Sequence, residues 1–247
     1  MGKIIRGVFD KHLKNKFKTT VIIAAGGTGS RMGLDFNKLF LMIDDKPVLA
    51  HTIDVFEKHS KVDEIIIVAN ENDLQTVKEI IEDFAYSKVK TIVVGGKTRQ
   101  ESVYNGLLCV SEDTDVVAIH DGARPLITPV VIEQCLDAAF EGGASATGVF
   151  AKDTLKKTDN ENNICETLNR ENVVQIQTPQ CFKKDLIIKA YEKAIAEKIE
   201  TTDDCAVAEN FGAKIKVIQG SSFNIKLTTP DDYYALSALI TYRGDFE

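Results

Sequence analysis

The chain has 247 residues, 44% of them hydrophobic, and a formal net charge of -7. That length and apolar content support a sizeable core in one large α/β domain or two small ones, and the acidic balance excludes a general basic field for nucleic acid or anionic lipid, so any anionic ligand must be held by a local cluster. No apolar run has the length of a membrane span, the N-terminus lacks a secretory-signal pattern, and five cysteines (Cys109, Cys135, Cys165, Cys181, Cys205) occur without a CxxC pair, so core thiols and a cytoplasmic location are expected, with no membrane and no nucleic acid as partner.

Residues 1-18 form a basic N-terminal extension, with Lys3, Arg6, Lys11, Lys14, Lys16 and Lys18 against Asp10. A transit peptide or membrane-surface helix is one reading of it, and a solvated extension is the other. From Thr20 the pattern changes. The run TVIIAA opens a series of short β-branched segments, continued by EIIIVA (64-69), KTIVV (90-94), DVVAI (115-119) and ASATGVFA (144-151), each nearly all apolar as buried parallel strands are. Amphipathic stretches lie between them, such as 73-86 with Leu74, Val77, Ile81 and Phe84 on one face. Thr98 with Glu101 predicts a capping box, and Thr128-Pro129 and Thr229-Pro230 predict helix starts. The polar stretch 152-178, with the turn-like run Asp159 to Asn163, predicts a protruding hairpin arm. The expected fold is therefore α/β: a Rossmann-like, mostly parallel sheet with helices on both faces and a β-hairpin arm, residues 19-247 making a single domain.

Directly after the first strand stands AAGGTGSRMG (24-33), where Ala24, Ala25, Gly26, Gly27 and Gly29 let backbone amides approach an anion. It is neither a Walker A loop nor a dinucleotide fingerprint, since Gly27, Gly29 and Gly33 are spaced GxGxxxG. A tight glycine turn remains the plain alternative. Arg31 inside the loop and Lys38 seven residues on favour phosphate, because two cations can converge on oxygens cradled by the amides.

Two further loops follow strands in the same way. GGKTRQES (95-102) places Gly95 and Gly96 at the carboxyl edge of the sheet, where amides can read a base edge or simply turn into a capped helix. HDGARP (120-125) offers Asp121 as a magnesium ligand or as a turn aspartate. His51 and His59 are expected on a helix face and His120 as a strand-end histidine rather than a base. There is no HExxH, no GxSxG and no Cys/His metal spacing. The absence of a covalent nucleophile suits nucleotidyl transfer, where the incoming phosphate attacks and the protein supplies position and charge.

These loops in this order resemble the 2-C-methyl-D-erythritol 4-phosphate cytidylyltransferase family of the non-mevalonate isoprenoid pathway. The likeness runs from about Thr19 to Tyr242 and rests also on DTLK (153-156), Arg170, QTPQCF (177-182), TTDD (201-204) and NIKLTTPDD (224-232). It implies transfer of the cytidylyl group of CTP to 2-C-methyl-D-erythritol 4-phosphate, giving 4-diphosphocytidyl-2-C-methyl-D-erythritol and pyrophosphate, with Arg31 and Lys38 stabilising the reacting α-phosphate and magnesium bridging the triphosphate. By the same likeness Arg170 and Lys226 hold the acceptor's phosphate, Arg124, Thr154, Thr178 and Thr202 add acceptor contacts, Gly96, Lys97 and Ser102 read cytosine, and Asp121 and Gly122 lie near ribose and metal. The family is a homodimer in which the arm helps cover the other subunit's site, so Thr154 and Arg170 would act across the interface.

The chain departs from the family pattern in places. Asn37-Lys38-Leu39 replaces Pro-Lys-Gln and predicts a less constrained backbone; Lys97 stands where an acid is frequent, Gly122 where alanine is commoner, and Val173-Val174 where Leu-Trp is often found. The alternatives are a ribitol 5-phosphate cytidylyltransferase and a non-catalytic nucleotide-binding regulator; the loop spacing disfavours an oxidoreductase.

Overall fold

The computed structural model describes residues 17-27 and 32-244. In chain order the elements are β1 (Thr19–Ala24), the two-residue strands β2 (Met42–Ile43) and β3 (Lys46–Pro47), α1 (Val48–Glu57), β4 (Glu64–Ala69), α2 (Leu74–Asp83), β5 (Val89–Val94), α3 (Arg99–Leu107), β6 (Val116–Asp121), α4 (Pro129–Gly142) and β7 (Ala144–Phe150). Then come β8 (Lys156–Thr158), β9 (Ile164–Thr167), β10 (Val174–Lys183), α5 (Lys184–Ala196), α6 (Asp204–Asn210), β11 (Lys216–Gln219) and α7 (Pro230–Gly244). Seven strands make one sheet in the order β11-β7-β10-β6-β1-β4-β5, in which β10 alone runs antiparallel to its neighbours.

Strands β1, β4 and β6 are buried on both faces because helices cover both, whereas β5, expected to be buried, is the edge strand and stays partly exposed. Along β1, Val21 and Ile23 enter one core with Phe56 and Leu136, while Ile22 enters the other with Leu107 and Tyr191, as the two-residue period of a strand requires. On α2, Val77 and Ile80 are buried and Leu74, Ile81 and Phe84 pack partly buried beside them. Helix α3 lies close on the sheet at Gly106, where a Cβ would come within 2.9 Å of Val68 Cγ2 and 3.0 Å of Ile22 Cγ2.

Register brings the loops together. Ala24 is paired with Asp121 and Ala69 with Val94, so the chain leaves β1, β4, β5 and β6 at one edge. Open α/β sheets place ligands in the crevice outside those carboxyl ends.

The polar stretch forms a two-stranded antiparallel hairpin, β8 with β9, exposed along its whole length. Its turn is tied by Asp159, whose Oδ1 accepts from the amides of Glu161 and Asn163 at 2.9 Å each. The hairpin is shorter than the predicted arm, since from Val174 the chain already belongs to the central sheet as β10. At the other end, Phe17 stacks on Phe140 with centroids 4.6 Å apart, and Lys18 Nζ meets Glu64 and Asp113 at 2.8 Å. Two residues assigned to the extension thus pack on the body; the rest of it, residues 1-16, lies outside the described residues. No described helix is long and apolar enough to cross a membrane.

Candidate active site

At the carboxyl edge lies a cleft of about 290 Å³, into whose wall the fold brings Ala24, Gly26, Gly27, Lys38, Gly96, Lys97, Ser102, Asp121 and Lys226. These are predicted residues from four separate loops. Gly29 and Arg31 lie outside the described residues. Ala25 and Gly122 sit just behind the wall and fasten it: Ala25 N donates to Val68 O at 2.7 Å and Gly122 N to Ala24 O at 2.9 Å.

Lys38 begins a single 3-10 turn, Lys38–Phe40, and is 7% exposed. The turn is set by Asn37, contrary to the looser backbone predicted from the missing proline. Asn37 adopts φ -68°, close to the value a proline ring enforces. Its Oδ1 accepts from Leu39 N at 3.1 Å, and its Nδ2 donates to Ala25 O at 2.9 Å and to Asp73 Oδ2 at 2.8 Å. Three hydrogen bonds of one buried side chain therefore hold the lysine turn, one within the turn, one to the glycine loop at Ala25 and one to Asp73, replacing a covalent restraint by a polar one.

The loop between β5 and α3 is equally closed on itself. Gly95 N donates to Ala69 O at 2.8 Å, Gly96 N to Ser102 Oγ at 3.0 Å and Lys97 N to Glu101 Oε2 at 2.6 Å. The capping pair is present, Thr98 Oγ1 accepting from Glu101 N at 3.0 Å, although Glu101 returns its bond to Lys97 rather than to the cap itself. Of the two readings of this loop the capped turn is the one seen: its amides are satisfied inside the turn, and contact with a base through them requires the Ser102 and Glu101 bonds to be exchanged. The turn is also tight: a Cβ on Gly96 would fall 2.3 Å from Glu101 Cβ.

Asp121, 7% exposed, is the centre of the charge pattern. Its Oδ2 receives Lys226 Nζ at 2.9 Å and Arg124 Nε at 3.3 Å, and Arg99 Nη2 stands 3.8 Å from Oδ1. Burial alone would raise its pKa, but the charges of Lys226, Arg99 and Arg124 outweigh that and hold the carboxyl well below the usual range. The neighbouring His120 is fully buried and its pKa is pushed down to about 4, chiefly by desolvation; its Nε2 donates to Arg124 O at 3.1 Å. It serves as a neutral strand-end histidine, as the sequence reading expects.

Residues predicted on the acceptor side fall into two groups. Thr178 and Arg124 stand behind Asp121: Thr178 Oγ1 accepts from Asp121 N at 3.1 Å, and Arg124 Nη1 donates to Asn224 O at 2.7 Å, steadying the segment that carries Lys226. Thr154, Arg170 and Thr202 are exposed and are not part of the cleft wall. Arg170 bonds the carbonyl of Lys152 within its own arm.

One charged wall residue escaped the sequence reading. Arg99, in the first turn of α3, grips the fully buried Asp204 with two bonds, Nη1–Oδ1 at 2.9 Å and Nη2–Oδ2 at 2.7 Å. A weak signal was present: a cation beside a helix N-terminus is disfavoured by the helix dipole, so an arginine there gains from an acid elsewhere, and the aspartates of TTDD had no role.

Among the described residues, no group of three or more His, Cys, Asp or Glu could cage a metal, and Asp121 is the one carboxylate in the wall. That fits a magnesium ion held mainly by substrate oxygens and water, the usual mode for a nucleotide-bound ion.

The family model of 2-C-methyl-D-erythritol 4-phosphate cytidylyltransferase matches residues 19-242. A 2-C-methyl-D-erythritol 4-phosphate cytidylyltransferase of Alkaliphilus oremlandii is 43% identical over 94% of this chain and 99% of its own, and one of Clostridium tetani is 45% identical over 87% of each chain. The crystal structure of a 4-diphosphocytidyl-2C-methyl-D-erythritol synthase from Anaerococcus prevotii superposes with a TM-score of 0.81 at 32% identity, covering 92% of this chain and 97% of that one.

Proposed function

This chain belongs to the 2-C-methyl-D-erythritol 4-phosphate cytidylyltransferase family, and we propose that it joins CTP to 2-C-methyl-D-erythritol 4-phosphate in the cleft at the sheet edge. A phosphate oxygen of the acceptor attacks the α-phosphorus of CTP, the bond to the bridging oxygen breaks, and pyrophosphate leaves with that electron pair. The observation that carries this reading is the convergence of the glycine loop, Lys38, Lys226 and Asp121 from four segments into one cleft.

Lys38 supplies positive charge where the transferred phosphoryl group gains negative charge, and its buried turn fixes the ammonium before substrate arrives. Arg31, from the same glycine loop, shares that task. Lys226 receives the acceptor's phosphate and Asp121 faces the ribose and the metal, so their 2.9 Å ion pair stores the two groups ready for opposite partners. Magnesium bound with the triphosphate, with Asp121 as the protein ligand, would withdraw charge from its oxygens. Gly96, Lys97 and Ser102 form the base side. The exposed arm, bearing Thr154 and Arg170 away from the cleft wall, supports a homodimer in which each arm completes the partner's acceptor pocket. A single domain spanning residues 19-247 fits this arrangement.

The test is pyrophosphate release from CTP and magnesium with methylerythritol 4-phosphate and ribitol 5-phosphate as parallel acceptors. Turnover with methylerythritol 4-phosphate supports the reading. Preference for ribitol 5-phosphate would assign the sister activity, and silence with both, despite CTP binding, would leave a regulatory nucleotide-binding protein.

A further inference from the structure

The first turn of α3 faces two ways. Its leading loop forms the base side of the cleft, while the side chains of Arg99 and Gln100 reach outward to segment 199-204. Arg99 closes the bidentate pair with Asp204 described above, and Tyr191 donates its hydroxyl to Asp204 Oδ1 at 2.5 Å. Gln100 Nε2 donates to Ile199 O at 3.0 Å, and its Oε1 accepts from Thr201 N at 3.2 Å and Thr201 Oγ1 at 3.3 Å. From the other side Gln180 Nε2 donates to Asp203 Oδ2 at 2.9 Å, and its Oε1 accepts from Cys205 N at 2.9 Å. Thr202, at the middle of the gripped segment, is left exposed.

We infer that Arg99 and Gln100 are positioning residues that set the acceptor loop 199-204 from the nucleotide loop, so that the two substrates' subsites share one rigid helix start. Ile199 and Asp204 pack at the two ends of the loop, but the polar stretch between them has little apolar surface to bury, and ordering its backbone costs about 1-2 kcal/mol per residue. Five bonds, two from Arg99 to Asp204 and three between Gln100 and Ile199 and Thr201, made from a helix already anchored at Gly106, provide that order. Gln100 does not line the cleft, so its effect on catalysis must pass through the loop. Arg99 additionally stands 3.8 Å from Asp121, which links the loop to the cleft's central carboxylate. This inference rests on the proposal that Thr202 contacts the acceptor.

Steady-state kinetics on Gln100→Leu, Gln100→Glu and Thr202→Ala test it. Gln100→Leu removes all three loop bonds, and is expected to raise the KM for methylerythritol 4-phosphate about tenfold while the KM for CTP stays within about twofold. Gln100→Glu keeps the acceptor for Thr201 but loses the donor to Ile199, and should fall between wild type and Gln100→Leu. A purely structural residue would move both KM values together or lower only the melting temperature, and that pattern overturns the inference. If Thr202→Ala raises the acceptor KM and Gln100→Leu does not, the inference alone fails. If Thr202→Ala leaves the acceptor KM unchanged, the acceptor reading of the loop fails and the inference falls with it.

Discussion

The sheet edge and the hairpin arm are built on opposite terms. At the edge, Asn37, Ser102, Asp121 and Arg99 each spend their polar atoms on neighbours within 4 Å, and Lys38 and Asp121 are each 7% exposed. In the arm, β8 and β9 are exposed along their length, and Ile164 is 67% exposed beside a turn held only by Asp159. A group that must stabilise a developing charge gains from being fixed and partly desolvated in advance. A contact that closes over substrate gains from standing free of its own chain's core. The same reaction would thus use one buried, self-sufficient half-site and one half-site that needs a second surface.

Five experiments bear on that contrast. The largest effect belongs to the edge: Lys38→Met, which keeps the buried stem and removes the charge, should lower kcat by about 10² to 10³ in the pyrophosphate assay with an unchanged melting curve. Wild-type kcat in that variant would remove Lys38 from the chemistry. Next is the arm, where Arg170→Ala should raise the KM for methylerythritol 4-phosphate by roughly 30- to 100-fold, the loss expected for a charged, bidentate phosphate contact. Mixing Lys38→Met with Arg170→Ala protein should then restore activity toward about a quarter of wild type, because half of the re-paired dimers hold one intact site. No recovery on mixing would place Arg170 in its own subunit's site.

The buried edge should also be the acid-sensitive region. His120 binds a proton in the unfolded chain below pH 6.5 but in the folded one only below about 4. Its contribution to stability is therefore full above pH 6.5 and is lost as pH falls toward 4. Between pH 7 and 5 that amounts to roughly 2 kcal/mol in urea unfolding, and His51 and His59, both shifted down mainly by burial, act in the same direction. An unchanged pH slope in His120→Asn would refute the assignment. The smallest effect concerns Asn37: Asn37→Ala should cost about tenfold in kcat through a loosened lysine turn, whereas Asn37→Pro, which fits φ -68°, should lose less. Equal losses in the two would show that backbone restraint is not what Asn37 provides.

Much of this was legible before any coordinates. β-branched runs marked β1, β4, β5, β6 and β7, and Thr98 with Glu101 marked the start of α3, because strand burial and helix capping are local and written in adjacent residues. What the reading missed is non-local. The first half of β10, from Val174 to Thr178, is mostly polar and passes for part of the arm, and β11 has four residues, mostly exposed, with no pattern of their own. Asn37 looked like a loss of restraint because a side chain's hydrogen-bond partners, here Ala25 and Asp73, are not adjacent in sequence.

The sequence by itself determined the fold class, the family and the set of loops that meet at the sheet edge, since these follow from period, turn chemistry and motif order. The tertiary structure alone decided how those loops hold one another: Arg99 with Asp204 across 105 positions, Arg124 with Asn224 across 100, and Lys226 with Asp121. Such bonds depend on distance in space, and only the packing of the elements around the sheet brings these residues within reach.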